Sequence, residues 1–391
     1  MTSDLQTSAD CTEESKQSKR QILILMVTEF CNLHCTYCFE HQTSKRVIGL
    51  KTAQAAIAEA FQNPEFEELE IHFFGGEPFA AFKRITEICD WLWSLKWPKG
   101  YICFATTNGT LVHGKIQEWL KQHKEQFVVA LSLDGTPEMH DVNRSNSFSG
   151  IDLDFFKEQW PFQSVKMTIS PQTIDRAAEG ISYIYKQGFK LMANTAFGAE
   201  WEDWHFEAFA SELRKLADFY IDNPSIEPCQ LLDMRIDISA GKRSTAEGSA
   251  PSEVRNYCGT GRSMTAIDLG GKKYPCQTFM PMTTSREDDL TDVLELINSQ
   301  DNRMDKKCHG CAIIDVCQTC YGLNYSHTGS LFQRNLDDCR FQKLRAKGTA
   351  YLWAGMIKNR QRNYAYLASK DDTGLYYMIE GIELVRGGVV C

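Results

Sequence analysis

The first half of the chain carries apolar runs that predict strands, separated by amphipathic stretches that predict helices. The six apolar runs are, in chain order, QILILMV, LEIHFF, YICFATT, FVVALSL, VKMTIS and KLMANTAF. The helical spacing appears near residues 51–61, 82–95, 115–123, 177–186 and 204–220. Strands joined by helical crossovers form a parallel sheet, and six such units are typical of an incomplete barrel. The predicted fold is α/β, a partial (β/α)6 TIM-like barrel, with ligands at the carboxyl ends of the strands.

Changes in composition predict five segments along the chain. Residues 1–20 are polar and read as a flexible N-terminal extension, and the barrel is expected over residues 21–236. The small, polar stretch 237–257 predicts a linker. Residues 258–345 form a predicted cysteine-rich domain that begins with an MTAIDL-GG-KKYPC hairpin, and 346–391 a C-terminal helix and tail. Because apolar periodicity is weak in the cysteine-rich segment, we expect metal to help it fold.

Composition and charge narrow the classes of function. The chain has 391 residues, 43% of them hydrophobic and 24% charged, so neither a small secreted module nor a disordered chain is expected. The net charge is -9 and no long basic cluster occurs, which argues against a nucleic-acid partner. The apolar run Ile22–Val27 is too short to cross a membrane, and no signal peptide precedes it. We expect a cytoplasmic protein whose fifteen cysteines bind metal or act in catalysis rather than form disulfides.

Three cysteines follow the first predicted strand on one short loop. They are Cys31, Cys35 and Cys38, in the sequence CNLHCTYC. A cubane iron-sulfur cluster has four irons, so three thiolates leave one iron open to an external ligand. The alternatives are a zinc knuckle, with His34 as the fourth ligand, and unligated buried thiols.

This C-x3-C-x2-C loop, with Tyr37 before its last cysteine, resembles the motif of the radical S-adenosylmethionine (radical SAM) enzymes. The resemblance implies a 4Fe-4S cluster on these cysteines whose open iron chelates the amino and carboxylate groups of SAM. It also implies that an electron from the cluster cleaves SAM to a 5′-deoxyadenosyl radical, so the cofactors carry the difficult chemistry.

Further motifs fall where the following strands end, as a barrel requires. The resemblance implies that SAM is contacted from these loops by Gly75, Gly76, Glu77, Pro78, Thr107, Asn108, Ser132, Arg144, Ser170 and Phe197. A guanidinium such as that of Arg144 suits the SAM carboxylate because it offers two donors in one plane. A simple turn is the alternative for the TNG loop and for GGEP taken alone, but the position of GGEP after LEIHFF and behind the cysteine loop favours a SAM contact. Arg144 also fits a surface residue. Asp134, His140 and Asp141 fit a helix cap or a core contact as well as catalysis.

Seven cysteines form a second ordered array near the C-terminus. They are Cys258, Cys276, Cys308, Cys311, Cys317, Cys320 and Cys339. Paired C-x2-C spacings are also typical of zinc ribbons, so two zinc sites are the alternative. The array resembles the SPASM domain, the twin-cluster extension of radical SAM enzymes that modify peptides and proteins, except that the last short spacing is x2 instead of x3.

The SPASM resemblance implies two auxiliary 4Fe-4S clusters. The outer cluster would be held by Cys308, Cys311, Cys317 and Cys339, and the inner one by Cys258, Cys276 and Cys320. Met264 stands where some relatives have a fourth inner cysteine, so the inner cluster has an open iron unless Cys229 or Cys391 closes it. An open iron is suited to binding a substrate thiolate.

These resemblances imply a radical SAM/SPASM enzyme, with SAM and three 4Fe-4S clusters, that matures a ribosomally made peptide. The expected product is a crosslink, with a thioether favoured and a carbon–carbon bond the other option. Anaerobic sulfatase maturation is the alternative, but there a catalytic aspartate follows the Y-P-C cysteine, and here Gln277 stands at that catalytic position. An amide cannot accept a proton as a carboxylate can. A non-catalytic iron-sulfur or zinc protein is the hypothesis from another class.

The expected partners follow from the same function. They are a precursor peptide and a flavodoxin- or ferredoxin-type reductant. Twenty residues before the first strand and about 50 after Cys339 are too few for a leader-binding domain of about 80 residues. Leader recognition is therefore expected to need a separate protein, or none.

Overall fold

The computed structural model describes residues 20–40, 44–245, 258–284, 291–298, 305–359 and 372–387. Almost all of the predicted N-terminal extension lies outside these residues. The same is true of the second half of the predicted linker and of Cys391.

The described residues contain eight strands and twelve α-helices, which alternate over the first six strands. The strands are β1 Arg20–Thr28, β2 Glu68–Gly75, β3 Gly100–Thr107, β4 Phe127–Leu131, β5 Val165–Ile169, β6 Leu191–Thr195, β7 Met264–Ile267 and β8 Lys273–Tyr274. The helices are α1 Leu50–Gln62, α2 Phe82–Trp93, α3 Lys115–His123, α4 Pro137–Asn143, α5 Leu153–Gln159, α6 Ala177–Lys186, α7 Asp203–Asp222, α8 Ile236–Thr245, α9 Thr291–Asn298, α10 Tyr321–Thr328, α11 Leu336–Lys358 and α12 Asp372–Arg386.

The first six strands form the predicted partial barrel. Strands β1 to β4 pair in parallel in chain order, and β5 pairs in parallel with β6. Strand β4 meets β5 through a parallel bridge between Ser132 and Lys166, and the N–H of Leu133 donates to the Lys166 carbonyl at 2.9 Å. The α/β fold and its incomplete barrel are therefore confirmed.

Alternating side chains give each barrel strand one face toward the helices and one toward the barrel interior, which we call the lumen. In β2, Leu69, Ile71 and Phe73 are buried in the core beneath the helices. Glu70 and His72, between them, point to the lumen because successive side chains of a strand face opposite ways.

The cysteine-rich segment contributes to the barrel sheet instead of standing apart from it. Strand β7 pairs in parallel with β1, with Ile22 opposite Met264 and Leu25 opposite Ile267. Strand β8 then pairs antiparallel with β7, which confirms the predicted hairpin. The lumen-facing Ile24 packs with apolar residues of the cysteine-rich segment, so the two segments share a core.

The predicted linker begins as a helix. Residues 236–245 form α8, although their small and polar composition predicted an irregular segment. Helix α12 passes so close that a Cβ at Gly381 would lie 2.9 Å from the Ile236 carbonyl oxygen. Tertiary packing against α12, which local composition cannot reveal, therefore orders this part of the chain.

Helix α11 attaches the C-terminal segment to the barrel. The ring centroid of Phe341 lies 4.7 Å from that of Phe206 and 5.2 Å from that of Phe209, both in α7. Cys339 lies in the first turn of α11, so this aromatic contact fixes the position of the cysteine relative to the barrel.

Candidate functional site

The three cysteines after β1 lie together on a tight loop. The N–H of Leu33 approaches Cys31 Sγ at 3.4 Å, and the N–H of Cys38 donates to the Cys35 carbonyl at 3.1 Å. Burial raises the pKa of Cys31 to about 12 and that of Cys38 to about 11, and repulsion from the Cys35 thiolate adds to both. Without a cation, three neighbouring thiolates are unfavourable, and a bound metal would reverse that balance.

The loop after β2 presses against the cysteine loop. A Cβ at Gly75, where φ is +148°, would lie 2.1 Å from the Thr28 carbonyl oxygen. A Cβ at Gly76 would lie 2.9 Å from Cys31 Cβ and 2.7 Å from the Phe30 carbonyl. Only glycine fits at these two positions, which explains the GG of the GGEP motif through contact with the cysteine loop itself.

Glu77 joins the loops that follow β2 and β3. Its side chain is 1% exposed and accepts hydrogen bonds from Phe79 N at 3.1 Å, Thr107 Oγ1 at 2.8 Å and Asn108 N at 2.8 Å. Burial raises the pKa of Glu77, and these three bonds oppose the rise. Asn108 Nδ2 in turn donates to Asn32 Oδ1 at 3.0 Å, which ties the third loop to the first. Pro78, which begins the short helical turn after Glu77, is buried.

Asp134 is the centre of a buried polar network at the end of β4. Its fully buried carboxylate accepts from Arg144 Nε at 2.8 Å, Arg144 Nη2 at 3.3 Å and the Tyr37 hydroxyl at 2.6 Å. It also accepts from Asn143 Nδ2 at 3.2 Å and from the N–H of Thr168 at 2.8 Å. The carboxylate therefore fixes both Arg144 and Tyr37, two of the predicted SAM contacts.

Within the described part of the chain, Arg144 Nη1 has no hydrogen-bond partner, because Asp134 engages only Nε and Nη2. The guanidinium carbon lies 5.4 Å from the centre of the Tyr37 ring. The charge of Asp134 raises the pKa of Arg144, so this side chain stays cationic. The sequence did not identify Asp134 as the partner of Arg144, although an aspartate ten residues before an arginine in the same strand-end loop was the available signal.

The remaining predicted SAM contacts differ in accessibility. Ser132, 7% exposed, donates its N–H to the Thr107 carbonyl at 2.8 Å, beside the loop after β3. Ser170 is fully buried, and its hydroxyl donates to Asn143 Oδ1 at 2.6 Å. Phe197 is half-buried, with its ring centroid 5.2 Å from that of Phe39.

A cavity of about 990 Å³ opens beside the cysteine loop. The loop contributes Tyr37, Cys38 and Phe39, and the segment after β6 contributes Phe197 to Glu202. Thr283, Ser326 and His327 of the cysteine-rich segment close another side. The cysteine loop and the cysteine-rich segment therefore line one solvent-accessible cavity.

The second array divides into two sets of thiols. Burial, together with the charges of Cys276 and Cys258, raises the pKa of Cys320 to about 12. Cys258 Sγ lies 2.8 Å from Thr260 Oγ1, and Cys276 Sγ lies 2.9 Å from Thr278 Oγ1. These three cysteines are the predicted inner set.

The other four cysteines form the predicted outer set. Burial, together with repulsion from Cys339 and Cys311, raises the pKa of Cys317 to about 12. Burial also raises the pKa of Cys339, and the charge of Cys308 adds to that rise. The Arg334 guanidinium opposes these effects at Cys317 and Cys339. Its Nη1 atom is buried without a hydrogen-bond partner.

Two residues that bear on the inner set have distinct environments. Cys229 is buried in the loop after α7, where its N–H donates to the Tyr220 hydroxyl at 2.9 Å, and the charges acting most strongly on it are those of Arg345 and Asp233. The structure does not group it with the inner thiols. Gln277 follows Cys276, and its Oε1 atom is buried without a hydrogen-bond partner.

His140 is buried, and both nitrogens of its ring have partners within the fold. Its Nδ1 accepts from the N–H of Asp134 at 3.3 Å, and its Nε2 lies 3.1 Å from Ser147 Oγ, so the ring is neutral with the proton on Nε2. Burial lowers the pKa of His140 to about 4 from 6.5.

Protonation of His140 is therefore expected to lower the free energy of unfolding as the pH decreases. The unfolded chain binds a proton near pH 6.5 and the folded one only near pH 4, so the unfolded state gains protons first as pH falls. This group should lower the free energy of unfolding by roughly 2 kcal/mol between pH 7 and pH 5. Anaerobic urea unfolding at both pH values measures the loss, and His140→Gln should remove this part of it. An unchanged pH slope in His140→Gln would contradict the assignment.

Comparison with known proteins identifies the family of the barrel region. Residues 25–213 match the model of the Radical SAM superfamily. Over 188 residues the chain is 28% identical to a cysteine-type anaerobic sulfatase-maturating enzyme of Clostridium perfringens, covering 44% of this chain and 50% of that enzyme. The chain spans about half the length of the curated relatives it matches.

Solved structures share the fold. Native anSMEcpe with bound AdoMet superposes with a TM-score of 0.62 and 18% identity, covering 88% of this chain and 98% of that one. Streptococcus suis SuiB bound to precursor peptide SuiA gives a TM-score of 0.54 and 17% identity, covering 81% and 75%. Across the residues described, no helix is long and apolar enough to cross a membrane. With its cysteine loop at the head of a partial barrel and the family match over that barrel, residues 25–213 are a radical SAM domain.

Proposed function

We propose that the chain is a radical SAM peptide maturase. The observation that carries this proposal is that the cysteine loop lies within reach of the Asp134 and Arg144 charges, which act on Cys35, while Tyr37 and Cys38 of the same loop line one large cavity. A bare electron carrier has no need of a cationic pocket beside its cluster.

The donor set of the first loop fits a 4Fe-4S cluster. Its three donors are thiols, the ligands that such clusters prefer, and each would bind a different iron. Among the described residues no three His, Cys, Asp or Glu side chains have the geometry to hold a single metal ion. His34 is exposed and its N–H donates to Ser145 Oγ at 2.9 Å, which gives no support to a zinc knuckle closed by its ring.

The chain's own residues would hold SAM in defined roles. Arg144 would bind the SAM carboxylate through Nη1, since Asp134 keeps the other two donors and the orientation of the plane. Glu77 would act by positioning, because its oxygens already hold the loops after β2 and β3. Tyr37 would lie beneath the guanidinium, and Phe197 at the cavity wall is suited to contact adenine. When bound, the cluster and SAM supply a one-electron cleavage that yields a 5′-deoxyadenosyl radical.

We also propose that the second array holds two auxiliary 4Fe-4S clusters. The two sets of repelling thiols, three inner and four outer, are the groupings expected for a SPASM domain. The buried, unpartnered Nη1 of Arg334 is a donor available to a cluster sulfide. With three thiols and Met264 in place of a cysteine, the inner cluster would keep an open iron. Cys229, held by Tyr220, gives no support to a fourth ligand.

The favoured reaction is a thioether crosslink within a precursor peptide. The peptide would lose two hydrogens overall: the hydrogen atom of a substrate C–H bond, whose acceptor bound SAM would supply, and the proton of a substrate cysteine thiol, which would leave to solvent. A carbon–sulfur bond would join the two positions, and a bound auxiliary cluster would take up the remaining electron. The related SuiB structure holds a precursor peptide, and another anSMEcpe structure holds a Cys-containing peptide, which supports a peptide substrate. Carbon–carbon bond formation has the same balance and is the next candidate.

Sulfatase maturation is the second candidate, favoured by the similarity to the Clostridium enzyme. Gln277 weakens it, because the residue after the Y-P-C cysteine would have to accept a substrate proton. The unpartnered Oε1 of Gln277 would instead accept a hydrogen bond, which suits a residue that positions a peptide N–H.

The test uses a library of cysteine-containing peptides with SAM and dithionite under anaerobic conditions. We expect wild-type enzyme to give products that lack two hydrogens and do not react with an aldehyde reagent. Gln277→Asp should shift products toward aldehyde-bearing formylglycine, with Gln333→Asp, on an exposed loop, as the matched control. Aldehyde products from the wild type would favour sulfatase maturation and overturn the crosslink.

The remaining parts of the proposal concern partners and location. The enzyme would draw electrons from a flavodoxin or ferredoxin, as a one-electron cleavage requires. It would act in the cytoplasm, where thiols stay reduced.

A further inference from the structure

Lys166, the second residue of β5, faces the barrel lumen. Its neighbours Val165 and Met167 are 2% and 1% exposed in the core beneath the helices, so strand alternation turns Lys166 the other way. Thr168 lies two residues further along the same face, and its N–H donates to Asp134 at 2.8 Å. At about 3.3 Å per residue, Lys166 lies roughly 7 Å along the strand from the Asp134 network.

The ammonium group has no ionic partner in the part of the chain that the structure describes. Nζ lies 5.3 Å from the centre of the Phe104 ring, whose other neighbour is the His72 ring at 4.6 Å. The acid that acts on Lys166 is Glu70, and that carboxylate is already paired with His72 and with Arg20, whose Nη1 lies 3.3 Å away.

This arrangement is unusual for the inside of a barrel. Such layers are ordinarily filled by branched apolar side chains, and a largely buried cation without a counter-charge is costly. Burial lowers the pKa of Lys166, while Glu70 and the face of Phe104 favour the charged form. The side chain is therefore a cation that would gain from a bound anion.

The lumen is open to a ligand beside β6. Leu191 and Ala193 are buried in the core beneath the helices, so Met192 and Asn194 point to the lumen face. Met192 is nevertheless 44% exposed. Met192 is the β6 residue opposite Lys166, so an extended peptide segment would approach Lys166 from this exposed side of the barrel.

We propose that Lys166 binds a carboxylate of the peptide substrate inside the barrel, close to the residue that is modified. The inference rests on the proposed peptide-maturase function and adds a substrate class to it. Two sources share this chemistry: an Asp or Glu side chain near the modified residue, and the C-terminal carboxylate of the peptide.

The test measures binding of three nonapeptide libraries to reconstituted enzyme with SAM. One library is amidated at its C-terminus and contains Asp and Glu, the second is amidated and lacks them, and the third has a free carboxylate and lacks them. Peptides retained after rapid gel filtration are quantified by mass spectrometry. Lys166→Met removes the charge and Lys166→Arg keeps it.

Lys190→Met is the matched control. Its ammonium also lies over a phenylalanine ring, 5.8 Å from the centre of Phe162, but Lys190 is exposed. Removing this cation keeps the lumen intact while lowering the net charge of the chain by the same amount.

We expect one of the two carboxylate libraries to be enriched by wild type over the library without carboxylates. Lys166→Met should lower that enrichment about ten- to a hundredfold, the scale of one hydrogen bond to a charged group. Lys166→Arg should retain most of it and Lys190→Met all of it. Enrichment of the acidic library identifies a side chain as the source, and enrichment of the third library identifies the C-terminus.

Two results would overturn the inference: no preference for carboxylates in wild type, or full retention of the preference in Lys166→Met. Retained binding with lost product in Lys166→Met would assign Lys166 to proton transfer instead. Formation of 5′-deoxyadenosine from SAM, measured in the same preparations, distinguishes a failure of this inference from a failure of the proposed function. If it occurs without carboxylate preference, only this inference fails, whereas its absence from iron-loaded wild type defeats the proposed function.

Discussion

Replacing Cys31, Cys35 and Cys38 together with alanine is expected to abolish the release of 5′-deoxyadenosine from SAM. Each of the three thiols would bind a different iron, and no other thiol is grouped with them in the described residues. Losing all three should therefore remove a whole cluster of four irons and leave the auxiliary clusters in place. Chromatographic assay of 5′-deoxyadenosine with dithionite measures the loss, and iron analysis of the same samples measures the cluster.

Cys103→Ala is the control for the triple variant. Cys103 is fully buried in β3 and belongs to neither array, so this variant should keep both its iron and its SAM cleavage. Residual 5′-deoxyadenosine in the triple variant would show that another site carries the cleavage, and would contradict the assignment of the loop.

Asp134→Ala is expected to produce the largest loss of stability among single substitutions in the site. The carboxylate is fully buried and accepts five hydrogen bonds, two of them from Arg144. Breaking a buried ion pair by removing one partner costs about 3–5 kcal/mol, because the other charge is left uncompensated. Urea unfolding measures this free energy, and equilibrium dialysis with SAM should show weakened binding because Arg144 loses its orientation.

Two further variants separate charge from packing. Asp154→Asn breaks an exposed pair with Lys157 at 3.2 Å and should change the free energy of unfolding by less than about 1 kcal/mol. Asp134→Asn combined with Arg144→Met removes both buried charges and should recover part of the stability lost in Asp134→Ala. A loss no larger in Asp134→Ala than in Asp154→Asn would show that the network does not stabilise the site.

The barrel strands could be predicted because their signal is local. Each alternates buried and lumen-facing residues over five to nine positions, and the predicted runs match β1 to β6 within a few residues. Helices α4 and α5 were not predicted, since at seven residues each is too short to show a helical period. Strand β7 was predicted as a hairpin arm, but its pairing with β1, more than 200 residues earlier in the chain, has no local signal.

The candidate site likewise contains residues that the sequence could identify and residues that only the fold brings together. Spacing alone singled out the cysteines, because thiols at fixed short intervals are characteristic of metal and cluster sites. The partners of Asp134 could not be found in this way, since Tyr37 lies 97 residues away and Thr168 lies 34 residues away. Lys166 was missed because one lysine in an apolar strand looks like an edge residue until the barrel closes around it. The unpartnered Oε1 of Gln277 depends on packing around it and is likewise invisible in the sequence.

The metal content of the wild-type chain, purified without oxygen and reconstituted, tests the account most directly. Three 4Fe-4S clusters predict about twelve irons and an equal number of sulfides per chain, with no stoichiometric zinc. About four irons together with zinc would keep the first loop as a cluster site but contradict the auxiliary clusters and the thioether that depends on them. Twelve irons with SAM left intact under dithionite would contradict the central claim that the chain is a radical SAM enzyme.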